Sequence, residues 1–237
     1  MTLLEHDPIG RTPGQYARAT WRRLRMRSIV ALGVVATATA LLGRSFGLKD
    51  PRFLAAEVAL LVTMFVISRY VLPLVERRER GAVAEEHVGG VLDQLDRSRW
   101  RVIHDATLGR GNVDHIVIGP PGVFTVETKS HPGPIRVGRV HGAMLAQAQA
   151  QGKAIGWVTG TDVEPLIVFS RAWVDRPGAK RKGVRVLPAR MLLSHLEHGQ
   201  MRLSSTDVDQ AHRLLAEALL EHHARPRLLG DRWSIRL

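Results

Sequence analysis

Two carboxylates and a lysine stand where chemistry could use them: Asp114, then Glu127 and Lys129 two residues apart. Asp114 lies in a run rich in β-branched residues, Val113 to Ile118, and Glu127 and Lys129 close a second such run, Val123 to Lys129. Gly119-Pro120-Pro121-Gly122 between them reads as a tight turn, so the two runs predict a hairpin. Side chains alternate along a strand. Asp114 therefore shares a face with Ile116 and Ile118, His115 points the other way, and Glu127 and Lys129 share a face. An Asp on one strand can then sit beside a Glu and a Lys on its partner. Two close carboxylates repel unless a cation or a shared proton intervenes. A hard divalent ion, Mg²⁺ or Mn²⁺, suits such oxygen donors. Lys129 could orient or help deprotonate a water, or neutralise a developing phosphorane. The same residues also fit a plainer pattern, in which Asp114 opens a strand at a solvated turn and Glu127 and Lys129 form a surface ion pair.

The elements that must position this trio can be read around it. Val83, Val88, Val91, Leu92 and Leu95 have helical spacing over residues 81–95. Trp100 to His104 is a short strand, and Ile135 to Val140 a possible third strand of the hairpin sheet. Met144 to Val158 predicts a helix with Gln147 and Gln151 four apart on one face. Leu166 to Phe169 and Val184 to Leu187 read as strands. A helix follows Pro188 to about Glu197, and Ser204-Ser205-Thr206-Asp207 caps a last helix to about Glu221. The order predicts a mixed α/β domain with a central sheet flanked by helices, over residues 81–222. Trp100 and Trp157 read as core or edge aromatics, His115 as a satisfied sheet histidine, and Lys180-Arg181-Lys182 as a basic loop.

Charge and hydropathy describe a different first third. The 237-residue chain has 34 Lys and Arg, 22 Asp and Glu, and no cysteine. Disulfides, thiolate zinc sites and cysteine nucleophiles are thereby excluded. The net charge of +12 invites an anionic partner, but residues 1–80 hold 13 basic and 6 acidic residues, more than half of the excess. Two apolar runs lie there: Ser28 to Gly43, without charge, and Phe53 to Val75, broken only by Glu57 and Arg69. A bilayer core of ~30 Å needs about 20 helical residues. The sequence thus predicts two transmembrane helices, about 28–45 and 53–75, behind a basic leader at 1–27. Arg18, Arg22, Arg23, Arg25 and Arg27 precede the first, and Arg77, Arg78 and Arg80 follow the second. The positive-inside rule puts both termini in the cytoplasm of a multi-pass inner-membrane protein with the bilayer as a partner. A basic tail occupies 223–237.

The wider string around the trio adds a resemblance. Gly81-Ala82-Val83-Ala84-Glu85 with Val88 and Leu92, then Val113 to Pro120, then Gly122 to Lys129, closely resemble the nuclease-related domain (NERD) family, over about Gly81 to Ser170. The resemblance implies the fold of the restriction-endonuclease-like PD-(D/E)xK nucleases. It maps the metal-binding Asp onto Asp114, the Glu onto Glu127 and the Lys onto Lys129. It maps the first-helix Glu onto Glu85, with Glu86 as its neighbour, and the later helical Gln onto Gln147. The sequence departs from the family at Ser130-His131, where an Asn and an aromatic are frequent.

These readings lead to a membrane-anchored, Mg²⁺- or Mn²⁺-dependent phosphodiesterase acting on DNA or RNA at the cytoplasmic side. Asp114 and Glu127 would hold the metal, and Glu85, Lys129 and Gln147 complete the site. Two alternatives stand beside it: a non-catalytic nucleic-acid- or protein-binding module on a membrane tether, and a membrane scaffold centred on the two spans.

Overall fold

A computed structural model describes residues 12–13, 15–46, 50–108 and 111–224. The basic tail beyond 224, residues 1–11 and 14 of the leader, and residues 47–49 and 109–110 lie outside the described residues. The chain divides into two compact units, one over residues 14–86 and one taking in the chain from His87 onward. The boundary falls six residues after the Gly81 start expected for the second domain.

The first unit is helical. Helix α1 runs Gln15–Phe46 and α2 Pro51–Val66; a π-helical turn, Ile67–Val71, leads into α3, Leu72–Leu92. Asp50 caps α2 by accepting from the Arg52 N–H at 2.8 Å, and Pro51 occupies the first turn, where it leaves no hydrogen bond unmade. The two helices touch: Thr39 Oγ1 reaches the Ala56 carbonyl at 3.3 Å, and Gly43 lies against the Phe53 ring. Helices over Arg25–Ser45 and Pro51–Leu92 are long and apolar enough to cross a membrane. No residue of α2 is buried, and Val34, Leu41, Leu61 and Phe65 face outward.

The second unit is a mixed sheet between helices. Its strands are β1 (Arg101–Leu108), β2 (Gly111–Gly119), β3 (Gly122–Lys129), β4 (Gly133–Ile135), β5 (Val163–Phe169), β6 (Ala172–Val174), β7 (Lys180–Arg181) and β8 (Val184–Pro188). The main sheet has the order β1-β2-β3-β5-β8-β7. β1, β2 and β3 are antiparallel neighbours, β3, β5 and β8 run parallel, and β7 closes the far edge antiparallel. Leu166 to Phe169 are all buried, as a continuous apolar run in a parallel strand covered on both faces should be. Helix α4 (Gly142–Thr159) makes the crossover from β3 to β5. α5 (Leu192–Glu197) and α6 (Ser205–Ala224) follow the sheet.

One face of the sheet packs Val117, Phe124, Val126, Leu166 and Leu187 against Val88 and Leu92, in the end of α3 that belongs to this unit, and Leu192 and Leu196 of α5. The other sets Ile116, Ile118 and Val123 against Ile155 of α4 and Val208, Ala211 and Leu215 of α6. Each such aliphatic side chain contributes roughly 1.5–3 kcal/mol on full burial. Ser204 and Asp207 cap α6 reciprocally, with Ser204 N–H donating to Asp207 Oδ2 at 2.8 Å and Asp207 N–H to Ser204 Oγ at 3.2 Å.

Two expectations are corrected. Ile135 to Val140 does not extend the main sheet: β4 ends at Ile135, pairs with β6 in a separate two-stranded sheet, and gives way to a 3₁₀ turn at Val137–Arg139. The basic stretch is not a free loop. Lys180 and Arg181 form an edge strand, Lys180 Nζ sits 2.9 Å from Glu164, and Arg181 donates to the Val140 carbonyl at 2.8 Å.

Glu164 ties this edge together. Its carboxylate meets Lys180, Arg185 at 2.8 Å and His195 at 3.7 Å. Burial pushes its pKa up, but hydrogen bonds from His195, Lys180 and Arg185 outweigh burial and hold it well below the carboxylate range. His104, in β1, is pushed below the ordinary histidine value chiefly by burial. Both folded-state values are depressed, so both groups contribute stability at high pH that is lost as pH falls. The sheet unit should lose stability first below about pH 6.5, as His104 is forced to charge, and again below about pH 4.5 as Glu164 is protonated. Glu164→Gln should melt lower at neutral pH and show a flatter second acid limb in thermal melts. An unchanged acid limb in that variant would exclude Glu164 as its source.

Candidate functional site

The site grows from the β2–β3 register. His115 pairs with Val126 and Ile116 with Thr125, so the next position outward sets Asp114 beside Glu127. There Asp114 Oδ2 accepts the Thr128 N–H at 2.7 Å, which fixes the carboxylate between Glu127 and Lys129. Glu127 is 3% exposed. Its Oε1 pairs with the Lys129 ammonium, and its Oε2 accepts from Gln151 Nε2 at 2.6 Å. A carboxylate this deeply buried is retained only when paired and hydrogen-bonded, and both conditions are met.

Gln151 arrives from α4. Ala148, Gln151, Ile155 and Thr159 form the helix's buried stripe, at the spacing of one helical face. The same Gln151 Nε2 also donates to the Asn112 carbonyl at 2.8 Å. Asn112 in turn donates to Asp105 Oδ1 at 2.7 Å and accepts from Thr107 at 3.2 Å. Asp105 is 2% exposed and has a left-handed backbone, φ 54°, a conformation Asp tolerates better than most residues. A chain of polar contacts thus runs from Asp105 through Asn112 and Gln151 to Glu127 and Lys129.

The structure brings together Asp114, Glu127 and Lys129, and the α4 side chain that reaches them is Gln151. Gln147 is exposed on the same helix. The two glutamines are four residues apart, about 6 Å along the axis, and only the later one is level with Glu127. Their i, i+4 spacing marks both in the sequence; the sheet register chooses between them. Glu85 and Glu86 fall in the helical unit, where Glu86 pairs with Arg18. Asn112 and Asp105 join the site although neither carries a spacing signal in the sequence.

His115 faces away from Asp114, as alternation requires. It is fully buried, with its Nδ1 2.8 Å from Nδ1 of His104. Trp100 is buried at 6% exposure, but Trp157 is 88% exposed and belongs to no core.

The donor set can be tested against a divalent cation. Among the described residues no three His, Asp or Glu side chains group closely enough to hold a metal ion. Asp114 and Glu127 therefore need further oxygen donors. Gln151 Oε1 and Thr125 Oγ1 are buried and carry no hydrogen bond. Buried oxygens in that state cost free energy unless something meets them. Two carboxylates with an orphaned amide oxygen and a hydroxyl form an all-oxygen set, which fits a hard cation of the Mg²⁺ class.

Residues 80–170 match the family model of the nuclease-related domain. No curated protein matches the chain. Among solved structures, a repair endonuclease from Pyrococcus abyssi aligns at 14% identity over 49% of this chain and 42% of its own, with a TM-score of 0.26. SfsA from Pyrococcus furiosus, in complex with Ca²⁺, aligns at 18% identity over 60% and 54%, with a TM-score of 0.24. The chain thus spans about half the length of each of these structures.

Proposed function

We propose that the nuclease-related domain at residues 80–170 hydrolyses phosphodiester bonds of DNA or RNA with a divalent cation, and that α1 and α2 anchor it to a membrane. The observation that carries the reading is the Asp114–Glu127–Lys129 cluster closed by Gln151. A restriction-endonuclease-like fold accords with the mixed sheet and its flanking helices, and with the family match.

Asp114, Glu127 and the amide oxygen of Gln151 would hold the cation, Mg²⁺ or Mn²⁺. The bound cation supplies charge stabilisation at the phosphate and lowers the pKa of water. Asp114 is kept in position by the Thr128 N–H, and Glu127 by Gln151. Lys129 has 20% of its side chain exposed and ends the strand, so its ammonium can leave Glu127 for a phosphate oxygen or an attacking water. Gln147, exposed on α4, is assigned a role at the substrate side.

Helix α2 is apolar with no buried residue, which suits lipid better than water. Arginines flank the apolar runs on the two ends that would share the cytoplasm. The domain would then face the cytoplasmic side of the inner membrane.

A non-catalytic nucleic-acid-binding module is the second reading. It draws on the saturation of both Glu127 oxygens by Lys129 and Gln151. One set of measurements separates the two. The full-length chain in detergent should cut single- or double-stranded substrate with Mg²⁺ or Mn²⁺, stop in EDTA, and lose at least about 10³-fold in rate as Asp114→Asn. EDTA-resistant cleavage, or full activity in the variant, sinks the metal-dependent mechanism. Release of the chain from membranes by alkaline carbonate would sink the anchor.

A further inference from the structure

Lys129 and Phe169 are register partners at the ends of the parallel strands β3 and β5. Both strands continue within four residues into the small sheet, where β4 pairs in parallel with β6. Ala172 and Val174 turn inward, at 5% and 1% exposure, and pack with Val137 and Phe169. Alternation then sends Arg171 and Trp173 outward. Trp173 is 56% exposed, its register partner Pro134 is exposed, and Arg136 follows two residues on. The outer face of this sheet is thus Arg171, Trp173, Pro134 and Arg136.

The charge of this strip is one-sided. Residues 130–140 and 170–176, which build it, contain four arginines (Arg136, Arg139, Arg171, Arg176) and one carboxylate, Asp175. Asp175 is engaged within the fold: it accepts the Val137 N–H at 2.9 Å, and Arg176 Nε lies 4.0 Å away. An exposed tryptophan on a strand whose other face is locked into the core adds apolar surface without contributing to packing. Arginine at both ends of such a platform matches a ligand with alternating flat apolar groups and anions. A nucleic-acid strand has that pattern when its bases are unpaired, because pairing hides their faces.

We propose that the β4–β6 strip docks single-stranded nucleic acid, with a base stacked on Trp173 beside Pro134 and phosphates on Arg136 and Arg171, leading the strand to the Asp114–Glu127–Lys129 cluster. The inference rests on the nuclease reading and specifies its substrate as an unpaired strand. It is tested by binding without turnover. Fluorescence anisotropy of labelled single-stranded and duplex oligonucleotides is measured with the full-length chain in detergent and EDTA. Trp173→Ala should weaken single-strand binding about tenfold or more, leave duplex binding unchanged, and be rescued by Trp173→Phe. Arg136→Gln with Arg171→Gln should flatten the slope of log affinity against log salt by about 1.4, two phosphates' worth for a single strand. Unchanged single-strand binding by Trp173→Ala, an equal loss on duplex, or loss only of binding to vesicles containing anionic lipid would each overturn the proposal. The two readings fail separately. A chain that binds single strands through Trp173 but never cleaves keeps the platform and loses the nuclease; one that cleaves with Mg²⁺ whatever stands at 173 does the reverse.

Discussion

Glu127→Gln should lower the proposed divalent-dependent cleavage by at least about 10³-fold and leave the chain folded. The amide keeps the shape and can still meet Gln151, while Lys129, partly exposed, turns to solvent. Lys129→Met should also remove the proposed cleavage but differ in stability. It strands a carboxylate that is 3% exposed with Gln151 as its remaining side-chain donor, and a buried charge left short of partners costs about 3 kcal/mol. Combining the two substitutions restores most of that stability and none of the activity, because an amide beside a methionine leaves no unpaired charge. Thermal melts of the four proteins close the double-mutant cycle. Wild-type cleavage by Glu127→Gln would remove the carboxylate from the machinery. Additive stabilities would show that Lys129 and Glu127 are not a coupled pair.

Gly119→Ala lowers the stability of the sheet unit by about 2–3 kcal/mol, or about 5–10 °C in melting temperature. A Cβ built at Gly119 comes within 2.1 Å of the Trp100 ring, far inside contact distance. The ring cannot retreat, since Trp100 is 6% exposed and packed among Val88, Leu92, Val117 and Phe124. Gly90→Ala is the control. Nothing lies within 4 Å of a Cβ there, and the residue is inside α3, where alanine favours the helix by up to about 1 kcal/mol. A Gly119→Ala chain as stable as wild type would contradict the packing of Trp100 on the hairpin. Gly122 is restricted for another reason: its φ of 142° strains any side chain.

Local patterns in the sequence were enough to place most elements. Alternation across Val113–Ile118 and Val123–Lys129 specified the hairpin and put Asp114, Glu127 and Lys129 on one face, because the strand period is two and a turn of fixed length sets the register. The Ser204–Asp207 cap was equally local. The two long apolar helices followed from composition, since length and hydropathy are additive along the chain.

Contacts between distant segments were decided only by the tertiary structure. Gln147 and Gln151 are equivalent on a helical wheel. Which one meets Glu127 depends on how far α4 slides along β3, a packing distance that no local pattern encodes. Asp105 and Asn112 joined the site through a hydrogen-bond chain between two strands and a helix. Residues 135–140 looked like another strand of the main sheet, but β6, some 37 residues later, claimed β4 as its partner. Trp157 and Trp173 were chemically indistinct from Trp100 in the sequence, yet two of the three stand at the surface. Residue type and period determine which side chains can lie together on one face; the docking of whole elements determines what they face.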